Sequence, residues 1–404
     1  MMSRAMPVRQ EPGSTRPTAC VMGSMDLIRP LGLAGIACAA VARAGSAALY
    51  SRFTRAALSR DGFSETDAHL VEALMRFGAA QKQPPVLFFE EDSQLLLVSR
   101  NRDRLAQAFR FVIADRELVE DLVDKARFCA LAERFGLPVP ATRKLDPGGE
   151  FPAELDLNFP IIIKPLRRTP AWDAMAESKA IEIDSEAALR ALWPQLATLG
   201  KEVLAQELVP GAEDRIESYH VYVDATGATA GEFTGRKIRT FPARYGHSTA
   251  LEISDAADVM ALGRALVEKL RLRGVAKLDF KRGPDGRLHL LEINPRFSLW
   301  HHLGAVAGVN LPALVYADLT GLPRPDAKPI RTGVRWCCWK DFAAARSMAV
   351  PLSRWLPWVL GCDAKSAVAW DDPMPLVRSL LFRLLCTRDH TAADAPWRLH
   401  KQAG

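Results

Sequence analysis

The sequence has no block of five or more consecutive basic residues, and its net charge of +6 is spread over 404 positions. That excludes the dense basic stripe by which most nucleic-acid binders hold a phosphate backbone. The positive excess, with a pI near 9.0, still favours an anionic ligand. The seven cysteines, at positions 20, 38, 129, 337, 338, 362 and 386, form no C-x-x-C pair and no Cys/His cluster. Neither a structural zinc nor a disulfide scaffold is expected, and the chain reads as a reduced, cytoplasmic protein. A membrane-length apolar run is missing as well. The Ala-rich stretch 31–50 contains Gly32, Gly35, Arg43 and Gly45, which interrupt the roughly 20 apolar residues that a span requires. Residues 1–17 carry arginine and proline without an apolar core, so they read as a disordered tail and not as an export signal. No G-x-G-x-x-G follows the first expected strand, which removes the dinucleotide fingerprint.

What is present is an ordinary globular composition, long enough for two or three domains. A short apolar run at 19–22, the turn Gly23-Ser24, a helical pattern and a second apolar run at 36–41 open a parallel α/β unit. Strands are expected at 85–89 and 95–98, between helical patterns at 67–77 and 102–109, closing a first domain over residues 18–117. A helix over 116–135 then stops at Gly136, with Pro138 and Pro140 beyond it. Apolar strands follow at 159–165 and 203–209, alternating strands at 217–223 and 229–234, and a helix at 256–270. A hairpin closes this second unit, with strands 274–281 and 287–293 around Gly283-Pro284-Asp285-Gly286. Residues 118–325 form the second domain and 326–404 an accessory segment.

Chemistry concentrates in that hairpin. Glu292 and Asn294 share one strand face, and an antiparallel neighbour can bring Asp279 opposite them. Two carboxylates and an amide oxygen suit Mg²⁺, with Mn²⁺ as a substitute. Arg296, two residues on, can hold phosphate or carboxylate bidentately. Lys164 ends a buried strand and is followed by Pro165, which fixes its backbone. Arg236, Lys237 and Arg239 precede a loop at 241–247 that contains Gly, Pro and Tyr and has the character of a lid. The bland alternatives are a solvent-facing polar stripe for the hairpin and a snorkelling edge residue for Lys164.

In this order and spacing the motifs resemble the ATP-grasp superfamily over residues 18–320. The resemblance implies an α/β (α+β) fold with a Rossmann-like pre-ATP-grasp domain and two α+β subdomains enclosing ATP. It also implies phosphate contacts by Lys125 and Lys164, with Asp124-Lys125 opening a helix that ends before Gly136-Leu137-Pro138. The run Gln206, Glu207, Leu208 and Val209, ahead of Pro210-Gly211, resembles the hinge that hydrogen-bonds adenine. Asp214 stands where the family places an acid for the ribose hydroxyls. More narrowly, residues 98–103, 233–239 and 370–375 resemble carboxylate–amine ligases related to D-aspartate ligase. Two departures stand out: the segment 166–172 has no glycine where relatives carry a flexible loop, and Asp279 replaces a common Glu.

The implied reaction phosphorylates a carboxylate with Mg²⁺-ATP and passes the acyl group to an amine, giving an amide. Asp279, Glu292 and Asn294 would hold metal, Lys125 and Lys164 phosphates, and Arg296 with Arg236, Lys237 and Arg239 the γ-phosphate and the carboxylate. His301 and His302 open an apolar helical stretch and read as structural in preference to general bases. The Trp/Arg mixture around Trp336, Trp339, Trp355 and Trp358 reads as a packed accessory subdomain in preference to a peripheral membrane contact. The expected partners are small-molecule carboxylates and amines, with no nucleic acid and with room for a homodimer. A regulatory ATP-binding protein without catalysis, a carboxylase and a kinase are the competing readings.

Overall fold

A computed structural model describes residues 16–60, 68–176 and 178–386. Most of the tail expected over 1–17 lies outside the described residues, as do Asp67 and Arg388. Strands β1 (Ala19–Met22), β2 (Cys38–Ala42), β3 (Thr54–Ser59) and β4 (Val86–Phe89) form a parallel sheet in the order β3-β2-β1-β4. Alternate β1 residues enter two cores. Ala19 and Val21 pack with Leu27, Ile28 and Leu31 of the helix Met25–Leu33, while Cys20 and Met22 meet Leu70, Leu74 and Leu95. A sheet covered on both faces reads as continuous apolar runs, which is what these strands show.

The strand expected at 95–98 is instead part of the helix Asp92–Arg100. A four-residue apolar run does not distinguish strand from helix. The decision comes from Gln94, whose Oε1 accepts from the backbone N–H groups of Glu90 and Glu91 and starts the helix. The single helix expected over 116–135 is two, Arg116–Val123 and Lys125–Phe135. Asp124 breaks them: its backbone is extended (φ −83°, ψ 121°) and its carboxylate caps the second helix at Ala126 and Arg127.

A second sheet contains β5 (Thr142–Leu145), β6 (Ile161–Pro165), β7 (Ile181–Ile183) and β8 (Val203–Glu207), all antiparallel, in the order β5-β8-β6-β7. Ile161, Ile163 and Ala205 pack beneath Trp172, Leu189 and Leu196. By the two-residue period, Ile162, Lys164 and Gln206 take the opposite face.

The third sheet has seven strands: β9 (Ile216–Val223), β10 (Thr229–Phe241), β11 (His247–Ser254), β12 (Gly274–Arg282), β13 (Leu288–Asn294), β14 (Arg335–Cys337) and β15 (Ala364–Lys365). Their order is β13-β12-β9-β10-β11-β14-β15. One face, through Tyr219, Val221 and Leu278, is covered by Val259 and Leu266 of the helix Ala257–Lys269. The other, through Tyr222, Phe233 and Leu251, meets Trp300 and Leu303 and, beyond them, Leu27 and Phe88 of the first unit. Gly235 is needed here because a Cβ would lie 2.3 Å from the Trp300 ring. Among the described residues no single helix is long and apolar enough to cross a membrane.

The accessory segment therefore supplies β14 and β15 to the large sheet and then returns to the first unit. Asp372 accepts from Ser51 Oγ (2.6 Å) and the Arg52 N–H (2.9 Å), and Asp371 pairs with Arg29 (3.0 Å) and Arg52 (2.9 Å). Asp341, fully buried, takes both arms of Arg239 (2.8 and 2.7 Å), Thr249 Oγ1 (2.9 Å) and Trp355 Nε1 (3.0 Å). Removing one partner of such a pair strands the other charge in the interior. Asp341→Ala is expected to lower unfolding free energy by about 3–5 kcal/mol in urea titrations, and Arg239→Met together with Asp341→Leu to recover much of that loss.

Candidate active site

The site is built on the hairpin of β12 and β13. Their register sets Asp279 opposite Glu292 and Lys277 opposite Asn294, so the four side chains share one face. On the other side of β12, β9 sets Ser218 beside Asp279, and Ser218 Oγ donates to Asp279 Oδ1. The Asp279 carboxylate is 1% exposed, and Oδ2 receives both Lys277 Nζ (2.8 Å) and Lys237 Nζ (3.1 Å). Burial would raise the pKa of Asp279, but the two ammonium groups outweigh it and hold the carboxyl well below the usual range. Burial likewise opposes the charge on Lys237, and the fields of Asp279 and Glu292 override it, raising its pKa.

Glu292 is more open. Its Oε1 accepts from Asn294 Nδ2 at 2.9 Å and lies 3.5 Å from Lys277 Nζ. Arg296 joins this edge to the first sheet: it donates to Asp92, to the Glu90 carbonyl (2.8 Å) and to Asn294 Oδ1 (3.3 Å). The end of β13 is thus fixed against the carboxyl edge of the parallel sheet, where ligands of such sheets collect.

Opposite stands the second sheet. Lys164 Nζ donates to Gln206 Oε1 (2.9 Å) and Lys125 Nζ to the Pro165 carbonyl (2.6 Å). Burial, and then the neighbouring Lys125, push Lys164 down to about 8. Lys125 is lowered by burial as well, with Glu292 acting the other way. The side chain of Glu207 turns away from the cleft to Asn158, and the Leu208 N–H is taken by the Pro160 carbonyl at 2.9 Å. A cavity of about 510 Å³ opens beside this segment, with Leu208, Glu213, Asp214, Ile238, Tyr245 and Lys281 in its wall. Val209 packs just behind that wall, buried.

Of the three basic residues on β10, only Lys237 reaches the carboxylates. Arg236, on the opposite face of the strand, pairs with Glu252 at 2.8 Å. Arg239 follows a register shift, borders the cavity with its backbone strand, and commits its guanidinium to Asp341 and to the Trp358 ring, 4.1 Å away. Both are held by other partners, so the arginine cluster expected at the γ-phosphate resolves to one lysine. Three residues join the site that the sequence motifs alone do not single out. Lys277 bridges the two carboxylates. Glu213 sends its field to Lys164, Lys237 and Lys281, whereas Asp214 beside it is exposed at the rim. Lys179 lies within the fields of Glu292, Lys237 and Lys277. The loop 241–247 reaches the second sheet, where Tyr245 OH donates to Glu182 at 2.8 Å and Arg244 pairs with the same carboxylate. The glycine-free segment 166–172 enters a short helix, Pro170–Met175, capped by Thr169 and anchored by the buried Trp172. His301 and His302 are buried; His302 Nε2 accepts from Arg29 at 3.3 Å, consistent with structural roles.

The architecture, a parallel sheet followed by an antiparallel and a mostly antiparallel sheet with lysines and carboxylates facing across a cleft, is matched in solved structures. A biotin carboxylase from Campylobacter jejuni, in complex with an ATP analogue, superposes with a TM-score of 0.59 at 13% identity, over 79% of this chain and 74% of that one. The L-amino acid ligase from Bacillus licheniformis gives 0.59 at 11% identity, over 80% and 78%. Residues 223–341 match the family described as ATP-grasp in the biosynthetic pathway with Ter operon. The fold is of the ATP-grasp type. Among characterised proteins similar to this chain, D-aspartate ligase of Enterococcus faecium is 24% identical over 238 residues, 56% of each protein. The D-alanine–D-alanine ligase of an Azoarcus species is 29% identical over 196 residues, 46% of this chain and 62% of that enzyme. The chain thus spans less than two thirds of the length of each of these two relatives.

The pull of burial on Lys164 has a thermodynamic consequence. Below about pH 8 the folded protein carries an enclosed charge that the unfolded chain keeps in water. Between about 8 and the ordinary 10.5 the folded state has already released that proton, so stability gains as pH rises. Lys164→Met is therefore expected to be more stable than the parent at pH 7, by roughly 2 kcal/mol, with the gap closing towards pH 10.5. Thermal melts across this range provide the measurement.

Proposed function

We propose that the chain is a Mg²⁺-ATP-dependent ligase that joins a carboxylate to an amine through an acyl phosphate. The observation that carries this reading is the meeting of Asp279 and Glu292 on one strand pair with Lys277 and Lys237 between and beside them. A site that lodges an ammonium between two carboxylates suits a divalent cation. Among the described residues no group of three His, Cys, Asp or Glu side chains gathers around a metal position. Asp279 and Glu292 offer two carboxylates and Asn294 an amide oxygen, a donor set of the kind that suits Mg²⁺, which uses one or two carboxylates and takes phosphate and water oxygens for the rest. When bound, Mg²⁺ would neutralise charge on the transferring phosphoryl group.

The remaining work falls to the chain. Lys164, from the second sheet, and Lys125, from the start of the helix beside it, cradle the phosphates. The cavity next to Leu208 takes the base, with Gln206, Glu207, Leu208 and Val209 as the segment that frames it and Glu213, with Asp214 at the rim, holding the ribose hydroxyls. Because the Leu208 N–H is occupied, the base bonds to the groups on either side of it. Lys237 and Lys277, which share Asp279 Oδ2, are the cations within reach of the γ-phosphate and would turn to it if a bound cation took their place on Asp279. Arg296 orients the substrate carboxylate at the edge of the parallel sheet. That carboxylate attacks the γ-phosphorus and ADP leaves; the amine then attacks the acyl carbon, phosphate leaves with the C–O electron pair, and the amine loses a proton. Positioning and electrostatics supply the rate, without a covalent enzyme intermediate. The named relatives, D-aspartate ligase and D-alanine–D-alanine ligase, support an amino acid as one substrate.

The test is ADP release with Mg²⁺-ATP across pairs of amino-acid carboxylates and amines. A rate that requires both members of a pair, and falls at least about 100-fold in Glu292→Ala and in Lys277→Ala, is expected. Turnover with bicarbonate alone would replace the ligase by a carboxylase, turnover with an alcohol by a kinase, and ATP binding without turnover by a regulator. Glu213→Gln is expected to raise the KM for ATP several-fold with kcat nearly unchanged, and Asp214→Asn to change it less.

A further inference from the structure

Large apolar side chains exposed on this protein are not scattered. Of the fifteen that stand out among the described residues, thirteen lie between Trp339 and Leu384. Six of them lie on or beside a helical hairpin, Asp341–Ser347 followed by Leu352–Leu360, and the other seven follow it between Val368 and Leu384. The second helix is mostly apolar, yet none of its nine residues is buried. Its inner side is fixed: Trp355 donates to Asp341 and packs on Phe342 (5.0 Å), and Trp358 covers Arg239. Its outer side carries Leu352 (60% exposed), Leu356 (46%) and Leu360 (70%) at helical spacing, next to Trp339 (62%) and Met348 (44%). An apolar surface of this kind on a packed protein marks an interaction site.

The charges around it select the partner. From residue 342 to 362 there is no acidic side chain, while Lys340, Arg346 and Arg354 are exposed on the same hairpin. The flanking acids are engaged elsewhere: Asp341 is buried on Arg239, and Asp363 accepts the Arg335 N–H. An apolar stripe with tryptophan, whose own hairpin offers exposed basic side chains and no exposed acidic one, is complementary to an anionic lipid surface, where the leucines enter the acyl boundary and the cations meet headgroup phosphates. We propose that the 341–360 hairpin seats the protein on an anionic bilayer. Met348 also lines the cavity beside Leu208, so the membrane-facing hairpin is continuous with one wall of that cavity.

The experiment is co-sedimentation of the full chain with vesicles of phosphatidylcholine alone and of phosphatidylcholine with an equal share of phosphatidylglycerol, at 0.1 M salt. Binding to the anionic vesicles, and at least about tenfold less to the neutral ones, is expected. The triple change Leu352→Ser, Leu356→Ser, Leu360→Ser should reduce binding at least about tenfold while leaving the thermal melt in place, since none of the three is buried. Arg346→Glu with Arg354→Glu should do the same without removing apolar surface, and decides the matter if the triple variant fails to fold. No sedimentation with anionic vesicles would overturn the proposal. So would equal binding to both vesicle types that survives both sets of substitutions. A concentration-dependent dimer in light scattering, dissociated by the leucine changes, would assign the face to a second copy instead.

Discussion

A carboxylate taken out of water must be matched by cations, and the Asp279 carboxylate imposes that condition on everything around it. It sits on the second strand of a seven-stranded sheet and takes donors from three strands: Ser218, Lys277 and Lys237. Each strand must therefore keep its register to within one residue, because a slip would send its donor to the opposite face. Gly235, which admits Trp300 against the sheet, serves the same end by leaving a bulky ring to seal this face against water. The rigidity of the large sheet and the charge of its buried carboxylate support each other.

The opposing wall works in the contrary sense. Lys164 and Lys125 are cations with too little negative charge nearby, and Lys164 is held near the point of losing its proton. One side of the cleft thus carries paired charges awaiting exchange, the other carries charge lacking a counterion. A polyanion with its own divalent cation satisfies both at once, which is a stronger statement about ligand charge than the pI of the chain allows.

Much of this was legible in the residue order. The period of two along a strand puts Glu292 and Asn294 on one face, and the hairpin turn at 283–286 sets Asp279 against them. The same period would place Lys277 there, but a lysine two before an acid carries no distinctive signal until its neighbours on β9 and β10 are known. Alternation also separates Arg236 from Lys237. Arg239 escapes such reasoning because a register shift precedes it and its partner Asp341 lies 102 residues further on. The strand expected at 95–98 failed for a local reason, since four apolar residues fit either period and Gln94 settles the matter. The break at Asp124 was readable in principle, as Asp before Lys-Ala-Arg is a good cap, but a continuous helical pattern on both sides conceals it. What folds back from the end of the chain is the least legible: Asp371 and Asp372 look like a surface pair until Ser51 and Arg52 appear beside them.

That return has a consequence for the order of assembly. The first parallel sheet is synthesised early, but Arg29, Ser51 and the Arg52 amide find their carboxylate partners only after some 320 further residues have emerged. A growing chain must hold its first unit together without that fastening until residues 371 and 372 are made. Nascent chains cut short of residue 371 would expose the edge near Ser51, so the first unit is fastened by a part of the chain made long after it.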